Sequence, residues 1–162
     1  MQHIASKGIV HRNLSASKIW LFGTIIAKIS DFNLCCFHDE NSSYKEDSVE
    51  KFSPKQLALE SLVDKVFSEK SDVWSFGVLV YEMFGFGKVP YEDLDDEKLV
   101  DFLKDGHRLE RLENMNETLY EILTSCWDFD PEARPDFKEL EKKFHEFIEI
   151  RSEIYGYVEA RN

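Results

Sequence analysis

The sequence predicts a mainly α-helical domain: a bundle packed around one buried central helix, with a small β-hairpin near its start. Three observations predict it. The run Ser71-Asp-Val-Trp-Ser-Phe-Gly-Val-Leu-Val-Tyr-Glu-Met-Phe84 is the most apolar in the chain and carries hydrophobic residues on every side. A helix apolar all round belongs inside a domain. Downstream, apolar residues recur at helical spacing in residues 94–103, after Asn116 and again from Asp136, each the pattern of a helix with one buried face. Upstream, the segments on either side of Phe22-Gly23-Thr24 read as the arms of a hairpin.

Composition bounds the rest. With 162 residues, 43% hydrophobic and 14% aromatic, the chain can bury one core and reads as one domain. A formal net charge of -12 argues against nucleic acid, anionic membrane and acidic partners, which need a basic face. The central run is shorter than the roughly 20 apolar residues that cross a bilayer, so no membrane span is expected. Cys35, Cys36 and Cys126 are an odd set without metal spacing, and the adjacent pair is poorly placed for an ordinary bridge. Free thiols in a reducing cytosol are the expectation. Residues 1–7 carry no apolar secretion segment, which points to a cytoplasmic chain or the cytoplasmic part of a longer one.

In chain order, residues 1–6 read as the last turns of an amphipathic helix, with Met1, Ile4 and Ala5 on one face and Gly8 as terminator. No cap precedes them, which suggests a chain cut from a longer domain. Residues 34–53 are polar, acidic and aperiodic, the composition of a mobile surface loop. Ser71 is the expected cap of the central helix, and Gly85 and Gly87 its stop. After a turn at Gly87-Lys-Val-Pro-Tyr91 comes the helix of residues 94–103, its outer positions acidic. Asn116 caps the next, with Leu119, Ile122 and Leu123 inward. Asp136 and Glu139 form a capping-box pattern that opens a last helix with Phe137, Leu140, Phe144, Phe147 and Ile148 on one face. His145 sits beside that face as a surface or packing residue. The domain is expected over residues 1–150, and residues 151–162 as a tail.

Four motifs stand in a fixed order: His11-Arg12-Asn13 with Lys18 and, past the hairpin, Asp31-Phe32-Asn33; Lys51-Phe-Ser-Pro-Lys-Gln-Leu-Ala-Leu-Glu60; Asp72-Val-Trp-Ser-Phe-Gly77; and Cys126-Trp127-Asp-Phe-Asp-Pro131-Glu-Ala-Arg134-Pro135. Together they resemble the protein kinase family, most closely its tyrosine kinases, with H-R-D-x-x-x-x-N and D-F-G as the first pair. The resemblance covers residues 1–150 and implies the large, C-terminal lobe, with the hairpin beside the catalytic loop. The Gly-rich loop, the V-A-I-K lysine and its partner Glu helix of that family have no counterpart in the chain.

What the resemblance implies for the site is mostly loss. The family's loop Asp accepts the substrate proton and its loop Asn holds Mg²⁺. Asn13 is an amide with no basic site, and Lys18 puts a cation where the dication binds. Asp31 is left as a vestigial metal ligand, since a lone carboxylate holds Mg²⁺ poorly. Asn33 replaces the glycine of D-F-G and tolerates a left-handed backbone. His11 and Phe32 are expected as packing residues of the stack that links the lobes. Tyr44 lies at the family's regulatory position, and Arg12 is the residue that would pair with its phosphate. Asp72 is expected to brace the catalytic loop through its backbone, Trp127 to serve structure, and Glu60 and Arg134 to form a buried ion pair. These readings imply a tyrosine-kinase-like pseudokinase lobe, not an enzyme, acting as an interaction or scaffold module in signalling. No cofactor is expected. A protein partner, or the missing N-lobe, is expected on an apolar inter-lobe face around Met1, Ile4, His11 and Phe32. The alternative is the C-terminal part of a protein tyrosine kinase that uses ATP and Mg²⁺.

Overall fold

The computed structural model describes residues 1–23, 26–37, 44–45 and 52–155, with residues 44–45 and 150–155 described by backbone alone. In chain order the elements are α1 (Gln2–Ala5), β1 (Ile9–Val10), β2 (Ile19–Phe22), β3 (Ile26–Ile29), β4 (Cys36–Phe37), β5 (Tyr44–Lys45), α2 (Leu59–Val63), β6 (Val66–Phe67), α3 (Glu69–Phe84), α4 (Asp96–Lys104), α5 (Glu117–Cys126) and α6 (Phe137–Tyr155). The strands pair two by two and antiparallel: β1 with β4, β2 with β3, β5 with β6. No described helix is long and apolar enough to cross a membrane.

The axis of the fold is α3. Val73, Trp74, Val78, Leu79 and Val80 are buried together with the polar Ser71, Asp72 and Ser75. Leu99 and Leu103 of α4, Leu119, Leu123 and Cys126 of α5, and Leu140 of α6 pack into the same core. The helix begins earlier than its apolar run. Ser68 is the N-cap, its hydroxyl accepting from the backbone of Lys70 and Ser71 while the Ser71 hydroxyl accepts from Ser68 N. The expected cap, Ser71, is thus the far member of a reciprocal capping box. Glu69 and Lys70 extend the helix by a polar first turn that hydrophobicity does not register.

Local chemistry accounts for the later helices. Asn116 caps α5 by accepting from Leu119 N at 2.9 Å. Asp136 and Glu139 close the expected capping box, Glu139 N donating to Asp136 Oδ1 at 2.7 Å and Asp136 N to Glu139 Oε2 at 3.0 Å. Two boundaries differ from the sequence reading: α4 starts at Asp96, leaving Leu94 in the preceding turn, and α6 continues through Tyr155. The aperiodic stretch of residues 34–53 also holds structure where it is described. Cys36 pairs with Val10 and Tyr44 with Phe67. Two-residue bridges are too short to leave a period in the sequence.

Gly77 of α3 packs directly against the end of α5 at Cys126 and Trp127. A Cβ there would lie 2.6 Å from Trp127 Nε1 and 3.0 Å from Cys126 Cβ, and both neighbours are fully buried. Gly77→Ala gains about 1 kcal/mol of helix propensity but forces overpacking that costs about 1–3 kcal/mol. A net loss in urea unfolding is expected. An unchanged midpoint would mean that α3 and α5 separate at no cost.

Candidate functional site

The site is built where the loop of residues 11–18 passes the start of α3. Asp72, buried at that start, accepts from His11 N at 2.6 Å and from Arg12 N at 2.8 Å, so the helix carboxylate holds the loop by its backbone. Arg12 has φ +66°, a conformation uncommon for a side-chain-bearing residue, and the two bonds flank it. Glu82, in the last turn of α3, accepts from Ala16 N at 3.0 Å and ties down the far side of the loop. Sequence reasoning missed Glu82. A carboxylate on an otherwise apolar helix was the available signal, because it must find a donor.

Both ring nitrogens of His11 are engaged. Nε2 lies 3.0 Å from Ser30 O, and Asn13 N donates to Nδ1 at 3.3 Å. That pattern requires the neutral ring with its proton on Nε2. Burial lowers the His11 pKa in the same sense. The ring meets Phe32 edge-on at 5.0 Å, so the two pack together. His11 itself is 0% exposed, which corrects its expected place on an open inter-lobe face.

Arg12 is enclosed as well. Its guanidinium stands 5.4 Å from the Phe52 ring and 5.1 Å from the Phe67 ring, and Nε donates to Leu34 O. A cation between two aromatic faces is stabilised by their quadrupoles. The expected meeting with a phosphate on Tyr44 therefore begins from a guanidinium already occupied, and the Tyr44 side chain lies outside the described residues.

The centre of the site is an ion pair. Lys18 Nζ donates to Asp31 Oδ2, and Asn33 Nδ2 donates to Asp31 Oδ1 at 2.6 Å. The Lys18 contact pulls the Asp31 pKa below its ordinary value. Ser30 N and Oγ each donate to Lys18 O at 2.9 Å, which locks the base of the β2–β3 hairpin to the loop. Asp31, not Asn33, takes the left-handed backbone, with φ +63°. Asn13 is half-buried, and its side-chain amide has no hydrogen-bond partner among the described residues.

His11, Arg12, Asn13, Lys18, Asp31 and Asp72 are thus brought to one place. Glu60, Trp127 and Arg134 stand apart, around Trp74. Arg134 grips Glu60 with two bonds of 2.7 and 2.8 Å, and its guanidinium lies over the Trp74 ring. Trp127 is buried against Gly77 and Tyr81. Exposed apolar side chains stand on the hairpin and near it, with Trp20 61% exposed, Leu21 76% and Phe37 78% and Phe22, Ile26 and Phe32 also open, and others stand elsewhere, among them Phe86, Phe129 and Ile148. Met1 and Ile4 are half-buried.

Residues 1–144 match the family described as protein tyrosine and serine/threonine kinase. The chain belongs to that family, and its fold is a mainly helical kinase large lobe. Two relatives set the neighbourhood. The Tyrosine-protein kinase receptor torso of Bombyx mori is 37% identical over 148 residues, 91% of this chain and 18% of its own length. Fibroblast growth factor receptor 1 of Pleurodeles waltl is 35% identical over 152 residues, 94% of this chain and 19% of its own length. The chain spans less than a fifth of either relative.

Proposed function

We propose that this lobe is a pseudokinase module: a tyrosine-kinase-like fold kept for protein interaction in signalling and not for phosphoryl transfer. One observation carries the reading, the donation of Lys18 Nζ and Asn33 Nδ2 to the two oxygens of Asp31. Mg²⁺ needs oxygen ligands in near-octahedral array. Here the carboxylate is already met by an ammonium and an amide N–H, and the second ligand position is the ammonium itself. The donor set does not fit the metal. Asn13, at the position of the family's base, has no group that accepts a proton at neutral pH.

The interaction surface in this reading is the exposed apolar face of the hairpin, Trp20, Leu21, Phe22 and Ile26, since exposed apolar surface marks interaction sites. A cytoplasmic location goes with it, in keeping with three cysteines that no disulfide joins. The second reading, a part of an active tyrosine kinase, is favoured by the names of the two relatives.

The test is direct. The purified chain is expected to show no thermal shift with ATP and Mg²⁺, and no transfer of radiolabelled phosphate to a tyrosine polymer. Transfer above that of Asp31→Ala would overturn the pseudokinase reading and promote the second one.

A further inference from the structure

Away from the Lys18–Asp31 pair and from the hairpin, a cavity of about 660 Å³ opens between the end of α3, the turn before α4 and the segment after α4. Phe102 and Leu112 give it apolar wall, and Val89, 53% exposed, continues that wall toward solvent. Three exposed carboxylates line the same cavity from two directions, Glu92 and Asp93 on the turn before α4 and Glu110 on the segment after it. Glu92 is offset by Lys88 at 3.3 Å. Among the described residues Asp93 and Glu110 have no ion-pair partner.

The other cation of the wall, Arg108, is committed to the protein. Nε donates to Trp127 O at 2.7 Å and Nη1 to Leu103 O and His107 O at 3.0 and 2.7 Å, with the guanidinium 4.9 Å from the Trp74 ring. Burial lowers its pKa, and the Tyr91 phenol and the Asp128 carboxylate oppose that. The charge left facing the opening is therefore negative. Carboxylates also run on past the cavity. Asp95, Asp96 and Glu97 are exposed at the start of α4, Asp95 offset by Lys98 at 2.8 Å and Asp96 by Lys55 at 4.0 Å, Glu97 by no cation among the described residues. A small cation would meet the rim alone, whereas a basic chain segment meets the rim and the strip beyond it.

We infer that this cavity docks a basic segment of a partner protein, one apolar side chain entering against Phe102 and Leu112 while a lysine or arginine on either side of it meets Asp93 and Glu110. A buried anchor of this kind carries most of the energy of an interface. The flanking charges steer the encounter and reject acidic partners. The surface shares no residue with the exposed face of the hairpin, so it is a second place of contact and not an extension of the first.

The probe is the peptide acetyl-Lys-Phe-Lys-amide, titrated calorimetrically into the chain. Acetyl-Lys-Gly-Lys-amide is expected to bind about tenfold or more weakly, the scale of burying one aromatic side chain. Phenethylamine, an aromatic ring with a single cation, is also expected to bind more weakly than the peptide. Because the whole chain carries a net charge of -12, unspecific attraction is the competing explanation, and two double variants that change the net charge equally separate it. Asp93→Asn with Glu110→Gln is expected to weaken the peptide about fivefold, the scale of two exposed ion pairs. Glu121→Gln with Glu149→Gln, which removes exposed carboxylates of α5 and α6 outside this cavity, is expected to leave its affinity unchanged. Failure of the peptide to bind, equal loss in the two double variants, or equal affinity for the glycine peptide or for phenethylamine overturns the inference. None of these outcomes bears on the Lys18–Asp31 reading, whose residues do not line this cavity.

Discussion

Replacing Glu60 by Ala is expected to remove about 3–5 kcal/mol of stability, the scale of breaking one partner out of a buried ion pair. Arg134 is 0% exposed and Glu60 15%, so the loss of Glu60 leaves a guanidinium with no route to water. Every nitrogen of Arg134 is committed: Nη1 and Nη2 to Glu60, Nη1 also to Lys70 O at 3.0 Å, and Nε to Asp128 O at 2.9 Å. The pair therefore ties α2 to the start of α3 and to the entry of α6. Arg134→Ala should cost somewhat less, because the Glu60 carboxylate left behind reaches solvent. Urea unfolding of both single variants and the double reads the coupling. A Glu60→Ala midpoint equal to that of the parent would show that the pair contributes nothing net.

The second large effect depends on pH. Burial raises the Asp72 pKa to about 7, against the opposing pull of the His11 and Arg12 N–H bonds. An acid whose folded pKa lies above its unfolded value binds protons more tightly when folded. Its contribution to stability is therefore full below about pH 4 and lost as pH rises through about 7. Roughly three pKa units correspond to about 4 kcal/mol over that window. Asp72→Asn does not titrate, so the difference between parent and variant isolates this group from His11 and the many exposed carboxylates. That difference is expected to shrink by about 2 kcal/mol between pH 5 and pH 7. A flat difference would mean that the two N–H donors keep the carboxylate ionised throughout.

The helical architecture was legible in the sequence to the extent that its causes are local. Asn116 and Asp136 cap their helices within three residues, so the signal and the bond lie in the same stretch. The cap at Ser68 was misplaced because the apolar run starts later than the helix. The Glu60–Arg134 and Asp72–loop contacts were also anticipated, through motif resemblance and not through any property of those residues alone.

Other parts of the site had no such signal. Nothing near Arg12 announces that Phe52 and Phe67 close over it. The burial of His11 likewise follows from the position of Phe32 and Ser30, not from its neighbours in sequence.

The sequence by itself determined that the main helices form and where α5 and α6 begin, which of their faces are apolar, and which family the motifs belong to. It also determined that an amide and an ammonium stand at Asn13 and Lys18. Only the tertiary structure decided that Lys18 closes onto Asp31, that Arg12 is enclosed, and that His11 is buried while Trp20 and Leu21 of the hairpin stand exposed. The physical reason is the range of the interactions. A capping bond joins residues i and i+3, whose separation the helix itself dictates. The bond from His11 to Asp72 joins residues 61 apart, whose distance is set only when packing around α3 fixes both backbones.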